Sequence, residues 1–235
     1  TTRAHPAAPH PARPYDTTKL SRAASCIGGA GEDVDVGMGP LWPPVHACGC
    51  PAGCPESGHP NVYPVLRGGR DIRPYGTYFS GWWIAREAIT KPLERYLSPK
   101  LLVVKSTDRL QAALDMQGHI ALQTLYILHL HTREAGADDL YFFLSLLNSR
   151  LLRQYVYVLH TAYKWVQPQI EQHVLARLPI PIIAPAEKQP IIERAKLLAR
   201  ACSEIGPVVE WNEAMQNVYE EQERAICALY TSALN

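Results

Sequence analysis

The stretch that most constrains the fold runs from Leu101 to Leu130, LLVVKSTDRLQAALDMQGHIALQTLYILHL. Leu101 to Lys105 is a short apolar run closing on a cation, the pattern of a buried strand that emerges at a surface. Ser106, Thr107 and Asp108 form a polar turn, and Arg109 follows. A second run, Ala112 to Met116, leads to Gln117-Gly118, a turn signal. Ile120 to Leu130 is rich in β-branched and aromatic residues with leucine and reads as one or two further strands. Two strands therefore flank a tip carrying Lys105, Ser106, Thr107 and Arg109. Two cations and two hydroxyls can contact phosphate oxygens or base edges. The same residues also suit an ordinary solvated hairpin, because charged turns are the norm on protein surfaces.

Charge is unevenly distributed. The net formal charge is only +1, yet residues 61–110 carry nine Lys/Arg against four Asp/Glu, while residues 181–235 carry five against eight. A local cationic excess suits a polyanion, whose counterions are released on binding. The excess is modest for a free-standing DNA binder and sufficient for a module tethered to a larger assembly. With 47% hydrophobic residues in 235, a sizeable core is available. No apolar run reaches the roughly 18–20 residues that span a bilayer, and the start lacks a charged-then-apolar signal pattern. No membrane partner is expected, and the cytoplasm is the default location.

Upstream of the organising stretch, Arg67, Arg70 and Arg73 recur every third residue, followed by Tyr75, Tyr78, Phe79, Trp82 and Trp83. Arginine is suited to bidentate contact with phosphate or guanine. The aromatics can stack on bases, but Trp82 or Trp83 is expected in the core, where large rings dominate burial. Downstream, Asp139 to Leu159 reads as one helix with its apolar stripe on Leu140, Leu144, Leu147, Leu151, Tyr155 and Val158, and Asp138-Asp139 at its positive end. This stripe is core packing. Thr161 to Ile170 is a connector in which Lys164, Gln167 and Gln169 are the groups most able to contact DNA; glutamine pairs well with adenine edges. An exposed polar connector with no such role has the same composition. The prolines from Leu178 to Pro190 are expected to stop regular structure. Two helices then follow, striped by Ile191, Ala195, Leu198 and Cys202 and by Val208, Trp211, Met215, Val218, Ala225 and Leu229, with Gly206-Pro207 between them. Such faces make a helical hairpin.

The N-terminal quarter is different. Thr1 to Tyr15, rich in Ala, Pro and His, reads as a disordered tail or linker. Gly28-Gly29-Ala30-Gly31 is not a phosphate loop, since Glu32, Asp33 and Asp35 follow it. His46, Cys48, Cys50, Cys54 and His59 lie within fourteen residues. They are ligand types for structural zinc, although Cys-x-Cys and Cys-x₃-Cys are not the common knuckle spacing. An inert Pro/Gly loop is the other reading, and a disulfide is disfavoured in a reducing compartment.

Seven landmarks carry a resemblance when taken in order: Arg70-Asp71-Ile72-Arg73-Pro74-Tyr75, Pro99 to Val104, Asp108 to Leu114, Leu122 to Tyr126, Leu146-Leu147-Asn148-Ser149, Pro168-Gln169-Ile170 and Leu178-Pro179-Ile180-Pro181. Over Arg67 to about Gln189 the chain resembles the TaqI-like C-terminal specificity domain of adenine-specific DNA methyltransferases, including fused restriction-modification enzymes. The resemblance implies an α+β target-recognition domain with a mixed β-sheet and a long Leu-rich helix. It would occupy residues 19–185, after a tail at 1–18 and before a helical hairpin at 186–235. It further implies double-stranded DNA as partner, a methyltransferase catalytic domain or subunit as companion, and a strand at Leu122 to Tyr126. Arg70 and Arg73 would lie near the DNA cleft, with Lys105 to Arg109 and Lys164 to Gln169 on the same DNA face. The Asn-Pro-Pro-Tyr-type motif and the Gly-rich turn for S-adenosylmethionine are absent, so no catalysis is expected from this sequence and that cofactor belongs to a catalytic domain elsewhere. An adaptor that binds protein or zinc on the same fold is the alternative.

Overall fold

A computed structural model describes residues 27–28, 62–130, 136–162, 168–205 and 211–233, with the backbone alone at 27–28, 204–205 and 233. The expected tail at 1–18, the Cys/His loop at 46–59 and the Gly206-Pro207 break lie outside these residues, as do Val208, Lys164 and Gln167.

Leu101 to Val104 of the apolar run form a strand with Lys100, and this strand is the centre of the molecule. Strand β6, Lys100–Val104, is buried at every residue. It lies between β9, Leu125–Leu130, and β7, Ala112–Asp115, in a four-stranded antiparallel sheet completed by β1, Ile27–Gly28, on the far side of β9. A strand points successive side chains to opposite faces, and here both faces are covered. Leu101 and Val103, with Ala112, Leu114, Tyr126 and Leu128, face one apolar cluster; Leu102, Val104, Ala113, Leu125 and Ile127 face a second. Burial on both faces is why these strands read as continuous apolar runs rather than as an alternation.

The second cluster is closed by a small sheet. In it β2, Val62–Leu66, pairs antiparallel with β5, Trp83–Ala85, and parallel with β8, Ile120–Ala121. Residues 72–73 and 76–77 pair as β3 and β4. Tyr75 between them holds φ at 71° and is almost fully buried. Its N–H donates to the Ala112 carbonyl at 3.1 Å, so the Pro-Tyr landmark pins this hairpin to the edge of β7. Trp82 and Trp83 are half-buried rather than interior; Trp82 packs against the second cluster while Arg67 lies over its ring.

The first cluster is closed by helices. After a short α1, Glu94–Leu97, the Leu-rich segment forms α2, Ala137–Asn148, and α3, Arg150–Val156, followed by a π-helical turn at Tyr157–Thr161. The expected single helix is thus broken at Ser149, whose backbone is extended. The Ser149 hydroxyl donates to the Leu146 carbonyl at 2.7 Å and accepts from the Leu152 N–H at 3.3 Å, ending one helix and capping the next. The break changes the register. Leu140, Leu144 and Leu147 are buried as expected, but Leu151, Tyr155 and Val158 are exposed, and Leu152 and Val156 take their places inside.

Beyond α4, Gln172–Ala176, the long helix α5, Pro185–Ile205, packs on α2, and α6, Glu213–Ala233, packs on α5. The expected stop at Pro190 does not occur. Helix α5 begins at Pro185, where a missing N–H costs nothing, and contains Pro190 in its second turn. Glu187 reaches back to accept the Ala184 N–H at 3.0 Å, a capping contact. Ile191, Ala195, Leu198 and Cys202 all bury as their spacing predicts, together with Ile226 of α6, in the cluster that α2 and β6 share. Gln222 secures the junction: its amide donates to Ser145 Oγ at 2.6 Å and to the Ile191 carbonyl at 3.0 Å, and accepts from Arg194 at 2.9 Å. Lys188 and Lys196 of α5 pair with Asp139 and Asp138, each at 3.0 Å, at the acidic start of α2.

Candidate nucleic-acid interface

The C-terminal ends of β2 and β6 and the N-terminal end of β9 meet at one edge of the molecule. Each strand delivers one segment there: Arg67 to Asp71 after β2, Lys105 to Gln111 after β6, and Leu122 to Thr124 before β9. Leu122 N–H donates to the Leu66 carbonyl at 3.2 Å and Leu125 N–H to the Leu122 carbonyl at 2.9 Å, closing the third of these as a turn. The expected strand at Leu122 to Tyr126 is therefore a turn followed by the start of β9.

Lys105 is the node. Its N–H donates to the Thr124 carbonyl at 3.0 Å, and its own carbonyl accepts the Ile170 N–H at 3.0 Å. Its ammonium lies 5.5 Å from the centre of the Tyr126 ring, and the Tyr126 hydroxyl donates to the Ile170 carbonyl at 3.1 Å. The base of the tip is thus held from both sides. On its outer side Thr161 Oγ1 donates to the Asp108 carbonyl at 2.7 Å, joining the end of the π-turn to the tip.

The Arg-rich turn is built in the same way. Asp71 is fully buried and accepts from the Arg67 N–H at 2.7 Å and from Arg67 Nε at 3.2 Å. Arg67 also donates to Ser80 Oγ at 2.8 Å. Arg73 donates to the carbonyls of Gly69 at 3.0 Å and Ile72 at 2.8 Å. Both side chains therefore shape the turn. Arg70 is exposed, like Ser106 and Arg109 at the tip. Thr107 is half-buried, and its hydroxyl donates to the Arg109 carbonyl at 3.0 Å and accepts the Arg109 N–H at 3.2 Å. That arrangement makes Thr107 a brace for Arg109. Gln169 is exposed beside Ile170. Of the residues singled out from the sequence, Arg70, Arg73, Lys105, Ser106, Thr107, Arg109 and Gln169 lie on connected segments of this edge. Thr124, Gly68 and Thr161, which join those segments, were not singled out.

The cationic excess of residues 61–110 is not all available at this edge. Lys100 lies at the opposite end of β6, fully buried, paired across the strands with Asp115. Its ammonium donates to Asp115 Oδ2 at 2.5 Å and to the Tyr96 carbonyl. The same carboxylate accepts the N–H groups of Gln117 and His119 at 3.0 and 2.9 Å, and His119 Nδ1 lies 2.9 Å from Oδ1. Burial pushes the Asp115 carboxyl up, but its bonds with His119 and the Lys100 charge outweigh burial and hold it at about 2. Burial lowers Lys100, partly opposed by Asp115. Among the described residues, no group of three or more His, Cys, Asp or Glu is arranged to hold a metal ion. No helix among them is long and apolar enough to cross a membrane.

The model of the TaqI-like C-terminal specificity domain matches residues 63–180, half of the chain, and the chain belongs to this family. Among solved structures, the Type IIL restriction-modification enzyme MmeI in complex with DNA is similar in fold, with a TM-score of 0.50 and 12% identity over 75% of this chain and 29% of that one. A structure of the type I restriction-modification system aligns at a TM-score of 0.37 and 12% identity over 74% of this chain and 39% of that one. The chain therefore spans less than a third of the length of the MmeI chain. No curated protein matches it.

Proposed function

We propose that the chain recognises a sequence-specific target on double-stranded DNA, on behalf of an adenine DNA methyltransferase or restriction-modification assembly whose catalytic domain lies outside this sequence. The carrying observation is the Lys105 node. One residue's backbone ties the tip to Thr124 on one side and Ile170 on the other, so cations and an exposed amide share a single edge. Family membership supports the same reading, as does the presence of DNA in the MmeI complex.

The side chains divide by chemistry. Arg70, Lys105 and Arg109 attract phosphates; Gln169 carries a donor and an acceptor on one planar amide and can read a base edge. Lys164 and Gln167 belong to the same proposed set by sequence. No residue of the chain is assigned a catalytic role; methyl transfer from S-adenosylmethionine would be the companion domain's chemistry. Repeated selection of the full chain on a randomised duplex tests the proposal. Enrichment of one short sequence is the expected result, and a pool that remains random while the protein is folded would overturn it.

A further inference from the structure

We infer that Thr124 is a positioning residue for target discrimination, fixing the Arg-rich turn and the Lys105–Arg109 tip in one register. The inference rests on the DNA reading of this edge and identifies what aligns its two halves.

Thr124 touches both segments. Its Oγ1 accepts the Gly68 N–H at 2.9 Å, and its carbonyl accepts the Lys105 N–H at 3.0 Å. Gly68 stands between Arg67 and Arg70, and Lys105 begins the tip. The approach is close enough to need a glycine. A Cβ at position 68 would lie 2.7 Å from the Thr124 carbonyl oxygen and 2.9 Å from both its Cβ and Oγ1. The carbonyl is itself held by Lys105, so the clash would be relieved by moving the turn away from the tip.

The consequence concerns specificity more than affinity. Contacts to phosphates tolerate displacement and carry no direct sequence information, whereas base contacts need fixed donor and acceptor geometry. Loosening the lock between the two segments leaves their charges in place and blurs their alignment on the duplex. Valine at 124 keeps the branched shape and removes the acceptor; serine keeps the acceptor.

The test compares full-length wild type, Thr124→Val, Thr124→Ser and Gly68→Ala on the duplex enriched by selection and on a scrambled duplex. Amide hydrogen exchange at Gly68 is followed in parallel. The ratio of the two affinities is expected to fall about tenfold in Thr124→Val and in Gly68→Ala, the scale of one lost base contact. Scrambled-duplex affinity should stay close to wild type. Thr124→Ser should restore both the ratio and Gly68 protection. An unchanged ratio in Thr124→Val, equal losses on both duplexes, or failure of serine to rescue would overturn the inference. Absence of any preference in the wild type would instead remove the DNA reading on which it stands.

Discussion

The Asn148 side chain pairs with the backbone of Ala112 as a neighbouring strand would. Its Oδ1 accepts the Ala112 N–H at 3.0 Å and its Nδ2 donates to the Ala112 carbonyl at 2.9 Å, with a further bond to the Leu144 carbonyl at 3.0 Å. Strand β7 is at the edge of its sheet, and this amide satisfies buried groups that the ladder leaves open. It also fixes the strand that follows the tip. Asn148→Leu should lower unfolding stability by about 1–3 kcal/mol, the cost of leaving the buried Ala112 N–H unpaired, since the Ala112 carbonyl keeps its bond from the Tyr75 N–H. Denaturant unfolding reads this directly, and a wild-type midpoint with an unchanged slope would refute it.

Asp115 sets an acid limit. Its carboxyl sits at about 2 in the folded chain against an ordinary 3.8. A depressed folded value means that the native state binds the proton less readily than the unfolded state. The resulting stability is present above about pH 4 and is lost as pH falls toward 2. Asp115→Asn should flatten the pH dependence in that window. It should also destabilise at neutral pH by about 3–5 kcal/mol, because Lys100 is left buried without its counterion. A variant that keeps the wild-type acid slope would contradict this role for Asp115.

Much of the fold was legible because its signals are local. The run Leu101 to Lys105 announced a buried strand that emerges at a surface, and the spacing of Ile191, Ala195, Leu198 and Cys202 marked the face of α5 that enters the core. The helix register after Ser149 was not legible. The periodicity of leucines continues across the break as though the helix were straight, and only the serine's two hydrogen bonds shift burial from Leu151 to Leu152. Leu152→Ala should therefore cost about 2–4 kcal/mol while Leu151→Ala costs less than about 1. Equal costs would mean that the register is not shifted.

The residues of the candidate edge stood out in the sequence by type, but the bonds that connect its segments did not. Lys105, Arg109 and Arg70 were visible as cations beside turns. Nothing in composition marks Thr124 or Thr161 as the joints between segments far apart in sequence. The one local hint was Gly68-Gly69 inside an arginine-rich stretch, a sign of close backbone approach. Arg67 and Arg73 have the same composition as Arg70, and only the structure shows that their guanidinium groups brace the turn.

Base and phosphate contacts should separate by substitution. Lys105→Ala should weaken binding to every duplex alike and reduce the salt slope by about one. Gln169→Ala should cost on the order of 1–3 kcal/mol on the selected sequence and almost nothing on a scrambled one. If both variants lose affinity equally on all sequences, Gln169 is a backbone contact and does not differ in role from Lys105.

Binding of duplex DNA is the role proposed for the edge gathered around Lys105. Its most direct test is a salt titration of duplex binding by fluorescence anisotropy, with wild type beside the combined Arg70→Ala, Lys105→Ala and Arg109→Ala variant. Arg73 is left intact because it supports the turn. The wild type should show affinity falling linearly with salt on logarithmic axes, and the folded variant should bind far more weakly with a slope smaller by about three. Equal affinities and equal slopes in the two proteins would contradict the claim.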